Sequence, residues 1–137
     1  MQEKLNGLIS AEIESLSSLL ELLEEQHGYI TKEEVFNMEA IIPKIKEISV
    51  EVARIEVERR NLTGDRPISE IVIGSSKPEL EENYRKIRKL LHSVTLQKDT
   101  NELLIKQGLS YTNKMLEIIN PSRPTARTYG ASGKVRK

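Results

Sequence analysis

Glu24 and His27 stand three residues apart, a spacing that puts a carboxylate and an imidazole on one face of a helix. Such a Glu-x-x-His step is the repeating unit of bundle di-iron sites, which need two steps and two further inward glutamates. The only other histidine is His92, and the residue three before it is Lys89. No metal site is expected, and His27 reads as a surface residue near a helix end. Gly130-Ala131-Ser132-Gly133-Lys134 has the flavour of a phosphate loop. It lacks the full spacing, a preceding strand and a following helix. Asn61-Leu62-Thr63 matches a glycosylation sequon, which means nothing without secretion. Cysteine is absent, so disulfides and thiolate metal sites are excluded. No constellation for nucleophilic or acid–base catalysis is left, and the chain is expected to be neither an enzyme nor a cofactor carrier.

The elements that carry these residues come from a chain of 137 residues, enough for one domain. Charged residues make up 31% and aromatics 4%, which suits long solvated helices better than a thick core. There is no run of about 18 apolar residues and no signal-peptide pattern, so neither membrane insertion nor secretion is expected and the location reads as cytoplasmic. A net charge of zero hides a gradient. Residues 1–60 hold 7 basic and 13 acidic side chains, residues 61–120 hold 9 and 8, and the last 17 hold five basic and no acidic ones. An acidic body with few aromatics disfavours nucleic acid as a partner. The basic tail, 121–137, reads as a flexible solvated end that could fold back on an acidic helix or meet a partner.

Leu5, Leu8, Ile9, Ile13, Leu16, Leu19, Leu20 and Leu23 recur at helical spacing, with Glu12, Glu14, Glu21, Glu24 and Glu25 mostly opposite, which predicts an amphipathic helix over about 2–29. Thr31-Lys32-Glu33-Glu34 has the form of a capping box opening a second helix at about 32–62. The short connection makes the two antiparallel. Pro43 interrupts the hydrogen bonding of that helix, but the apolar phase from Val35 to Leu62 continues past it, so a kink is expected and not a new element. Thr63-Gly64-Asp65-Arg66-Pro67 is turn chemistry. Ile71-Val72-Ile73 is β-branched but has no strand to pair with, so a single helical turn over about 69–73 that tucks Ile71 and Ile73 under the bundle is expected.

The longest element is predicted over 78–119, with Ser76 as its cap, Pro78 in the first turn and Glu79, Glu81 and Glu82 at the positive dipole end. Its core face reads Leu80, Tyr84, Ile87, Leu91 and Val94. At 1.5 Å per residue it would be about 63 Å long, against about 37 Å for a compact globule of this chain length. The fold class is therefore all-α: an elongated antiparallel three-helix bundle or coiled coil with a long third helix and a flexible tail. A third helix parallel to the first would overshoot its neighbours by about 15–20 Å. That leaves Ile105, Leu109, Thr112, Met115, Leu116 and Ile119 as an uncovered stripe that wants a partner, read as a helix-in-groove site or the seam of a homodimer. Continuing the heptad from Tyr84 places Lys98, Asn101 and Gly108 on the seam, where Asn101 could fix register and Gly108 could admit another backbone. A loosely packed seam accounts for the same residues.

Four segments carry a likeness to a known family. They are Leu19-Leu20-Glu21-Leu22-Leu23-Glu24-Glu25, Ile55-Glu56-Val57-Glu58-Arg59-Arg60, Asn101-Glu102-Leu103-Leu104, and Thr128-Tyr129-Gly130 followed by Gly133. Together they resemble the FlgN-type flagellar export chaperones, over nearly the whole chain. The resemblance implies a cytosolic chaperone that holds the disordered C-terminal segment of flagellar hook-associated proteins and delivers it to the type III export gate. It implies cargo binding on the C-terminal helix. It also implies docking of Tyr129 and Gly130 to the cytosolic domain of the gate. A structural homo-oligomeric adaptor, or a chaperone for a different flagellar cargo, would share every feature read from the residues alone. Pro43 departs from the uninterrupted second helix the resemblance implies.

Overall fold

A computed structural model describes residues 2–64, 66–67, 70–71 and 78–120. Three long helices account for nearly all of them: α1 (Gln2–Thr31), α2 (Val35–Thr63) and α3 (Pro78–Ile119), with no strand among the described residues. α3 has 42 residues against 30 and 29 for the other two. Glu70 and Ile71 are helical, with Ile71 buried in the core. The rest of the expected turn, including Ile73, lies outside the described residues, as does Ser76.

The chain forms two compact units, residues 1–101 and 102–137. The first is built on the 3.6-residue repeat of α1, which runs Leu5, Ile9, Glu12, Leu16, Leu19, Leu23 and is buried at every one of these positions. Leu80, Ile87 and Val94 of α3 join the same cluster, and Ile45, Ile48, Val52 and Leu62 of α2 pack against it. The Asn83 amide donates to Asn6 Oδ1 at 3.1 Å and the Asn101 amide to the Leu23 carbonyl at 2.8 Å. These two pairs are separated by 77 and 78 residues, so within this unit α1 and α3 run parallel and in constant register. α2 returns antiparallel to α1 through the tight turn at residues 32–34, and Arg59 Nε donates to Glu12 Oε1 at 2.9 Å across that pair.

Three local readings are corrected. Thr31 and Glu34 do not make a capping box: α2 starts at Val35 with no side-chain cap, and the Thr31 hydroxyl donates back to the Gly28 carbonyl at 3.0 Å. α1 simply runs on through Gly28, because one helical glycine costs only about 1 kcal/mol and the turn beyond it closes the helix well. Glu34 N–H reaches the Tyr29 carbonyl at 2.9 Å and Glu33 N–H reaches Ile30 at 3.2 Å, with Glu33 at φ 58°; this is a Schellman closure with glutamate in the left-handed position. Glu12 is not on the polar face but 2% exposed in the core row. Leu91 is 43% exposed, and its neighbour Leu90 packs on the core instead, since a 3.5-residue count drifts off the true helical repeat.

Pro43 sits inside a single continuous α2 and is exposed. Gly64 ends that helix at φ 63°, with its N–H on the Arg60 carbonyl at 2.9 Å. A residue with a Cβ would be strained there.

Candidate functional site

The second unit begins at Glu102, and its described part is the last five turns of α3. Here the apolar residues fall in two adjacent rows. Ile105, Leu109, Thr112, Leu116 and Ile119 form one, at steps of four and three residues. Leu104, Gly108, Tyr111, Met115 and Ile118 form the other, one residue behind. Together they make a band wider than a two-position coiled-coil seam.

Much of this band faces solvent. Leu109 is 62% exposed, Tyr111 66%, Ile118 74% and Ile119 73%, and Met115 is 38% exposed. Ile105 and Leu116 are half-buried. Thr112 is exposed but locally satisfied, its hydroxyl donating to the Gly108 carbonyl at 2.9 Å. A Cβ placed on Gly108 would meet nothing within 4 Å, so this glycine leaves a shallow open notch in the band. Tyr111 and Leu104 were not among the residues read from the sequence, although each lies seven residues from a neighbour in its own row: Leu104, Tyr111, Ile118. Following a single stripe misses the second.

Asn101 closes the first unit and is 1% exposed. Its amide nitrogen donates to the Leu23 carbonyl and, at 2.9 Å, to Gln26 Oε1, and its carbonyl oxygen accepts from Gln97 Nε2 at 3.0 Å. Both halves of the amide are therefore paired across the buried contact of α3 with α1. Lys98, which a heptad count puts on the seam, is exposed, and Gln97 takes the inner position. Gly108 is exposed as well. Tyr129 and Gly130 lie outside the described residues, as does the rest of the tail beyond Asn120.

Shifted titrations belong to exposed helix pairs. The Tyr29 phenol is pushed up because its hydroxyl donates to Glu25 at 2.6 Å. Glu51 is held below the ordinary glutamate range by hydrogen bonds from Arg54, which is raised in turn. Each is an i,i+3 or i,i+4 pair on one helix surface, and Glu51 also lines a shallow depression of about 430 Å³ with Leu22, Lys44, Glu47 and Ile48. Among the described residues no group of three or more histidine, aspartate and glutamate side chains could hold a metal ion. No described helix is long and apolar enough to cross a membrane.

No curated protein and no solved structure matches the chain. The model of the FlgN protein family matches it over residues 1–137, its whole length. The chain belongs to the FlgN family of flagellar export chaperones, a family of chaperones and not of enzymes.

Proposed function

We propose that this protein captures the disordered, amphipathic C-terminal segment of flagellar hook-associated proteins in the cytosol and delivers it to the cytosolic domain of the export gate. One observation carries the reading: the apolar band on the last turns of α3 is exposed, with Leu109 and Ile119 at 62% and 73%. Covering each such side chain is worth about 1.5–3 kcal/mol, so three or four of them contribute about 5–12 kcal/mol before ordering costs are subtracted. A disordered segment that folds as a helix on this band meets Ile105, Leu109, Thr112, Met115, Leu116 and Ile119 at i, i+4, i+7 steps. The Gly108 notch gives a bulky anchor from the cargo room to sit close to the α3 backbone.

The tail supplies the second half of the mechanism. The family resemblance assigns Tyr129, with Gly130 after it, to the export gate, and the surrounding five basic residues bias that contact toward an acidic surface. Cargo capture and gate docking then use different residues.

Calorimetry with a C-terminal peptide of a hook-associated protein tests the cargo band. Leu109→Glu with Met115→Glu abolishes binding while helicity by circular dichroism is kept; undiminished affinity sinks the assignment. Tyr129→Ala leaves cargo binding intact and weakens gate binding. The competing occupant of the band is a second copy of the chain. Light scattering at micromolar concentration separates the two, because a stable homodimer that blocks the peptide is the signature of self-pairing.

A further inference from the structure

We propose that the outward face of α3 between Arg85 and Leu96 is a second docking surface, built for an acidic amphipathic helix of a partner protein. The stretch from Asn83 to Gln97 carries four cations, Arg85, Lys86, Arg88 and Lys89, and no aspartate or glutamate. The arginines of α2 are all paired with carboxylates. On α2, Arg54 pairs with Glu51 and Glu58, Arg60 with Glu56 at 2.7 Å, and Arg59 with Glu12 of α1. On α3 only Arg85 has a carboxylate, Glu81 at 2.8 Å, and that pair is open to solvent. Arg88 lies 6.0 Å from the centre of the Tyr84 ring. Among the described residues no carboxylate pairs with Lys86, Arg88 or Lys89.

The orientation of this face is fixed. Ile87 and Val94 hold the opposite side of the helix in the core, so Arg85, Lys89, His92 and Leu96 point outward in a row at steps of four, three and four residues, about 16 Å long. A shallow depression of about 620 Å³ runs among Glu82, Arg85, Lys86, Arg88, Lys89 and His92. Leu96, 60% exposed, gives the row an apolar end.

Charge complementarity selects the occupant. A lipid surface is a poor fit, because the apolar side of α3 is spent on the core and cannot sink into a bilayer. A single-stranded nucleic acid would want stacking aromatics, and the face presents only the half-buried Tyr84. A helix with carboxylates at i, i+4 and i+7 and a leucine beyond them matches the spacing of the row and covers Leu96. The row shares no residue with the cargo band, and the proposal stands whether or not that band holds cargo.

The probe is a synthetic helical peptide of about 21 residues with glutamates at those steps and flanking leucines, followed by fluorescence anisotropy against the full chain. Binding is expected at about 50 mM salt and is expected to weaken by about tenfold or more at about 300 mM. Arg85→Glu with Lys89→Glu, and separately Arg85→Gln with Lys89→Gln, should each reduce affinity by about tenfold or more, while Arg85→Lys with Lys89→Arg retains it. Leu109→Glu with Met115→Glu should leave it unchanged. The proposal is overturned if the peptide fails to bind the unaltered chain at low salt, or binds the charge-reversed chain equally well. It is also overturned if the peptide needs Leu109 and Met115, or if only phosphatidylglycerol vesicles bind in an Arg85-dependent way.

Discussion

Glu12 occupies a place in α1 that the helical repeat assigns to the core, between Ile9 and Leu16, and the chain meets the cost of burying it with Arg59. Removing one member of a buried pair strands the other, which typically costs about 3–5 kcal/mol. Glu12→Ala is therefore expected to lower unfolding free energy by about that much in a urea titration. Replacing both partners with methionine should restore most of the loss; a double replacement as unstable as the single would show that the pair does more than neutralise itself. Asn101 is another buried polar group, and its bonds to Leu23 and Gln26 join α3 to α1. We propose that it sets the register of that parallel contact, as a single seam asparagine does in coiled coils. Asn101→Leu is then expected to keep or raise the melting temperature while the amide NMR spectrum gains duplicate peaks. One sharp set of peaks would remove the register role.

At the scale of the element, the closure of α1 is strained where it need not be. Glu33 takes the left-handed backbone that a Schellman closure favours for glycine, at a cost of about 1–2 kcal/mol for an L side chain. Glu33→Gly is expected to raise stability by about 1 kcal/mol, read as a higher thermal midpoint, even though glycine loses more entropy on folding. α3 offers the converse case at Gly108. A Cβ there meets open space, so Gly108→Ala should stabilise the helix by about 1 kcal/mol. If cargo uses the notch, the same change weakens peptide binding in calorimetry, and a stability gain without that loss would show that the notch is empty in the complex.

For the whole molecule, the two units differ in how their apolar residues are used. Residues 1–101 bury a contiguous core of leucine, isoleucine and valine, while the described part of the second unit keeps its largest apolar side chains in solvent. Few buried contacts mean low local stability. Amide hydrogen exchange over residues 109–119 is expected to be faster than over 80–101 in the free protein, and to slow on adding the cargo peptide. Equal protection in both segments without peptide would contradict the view of this segment as an open binding surface. A chaperone that must release its cargo gains from a binding element that is only marginally ordered on its own.

The sequence by itself determined the helical class, the three long elements and the ends of α3, because apolar spacing, Pro78 and Asn120-Pro121 act over a few residues and depend on no distant partner. It also pointed to the apolar band on α3, since a helix of 42 residues is longer than either of the other two. Family membership was legible too, in a tail tripeptide and a handful of helical segments, and the family match spans the whole chain. Tertiary structure decided the rest. Thr31 and Glu34 fit two local motifs equally, and only the return of the chain into α2 selected the Schellman closure over the capping box. The spacing from Ile9 to Leu16 puts Glu12 on the core face of α1, but the partner that makes its burial tolerable, Arg59, arrives from 47 residues away. The basic row on α3 became a surface only once Ile87 and Val94 had turned the other side of that helix inward. Local spacing fixes which faces a helix has; which of them is covered depends on partners that are remote in the chain.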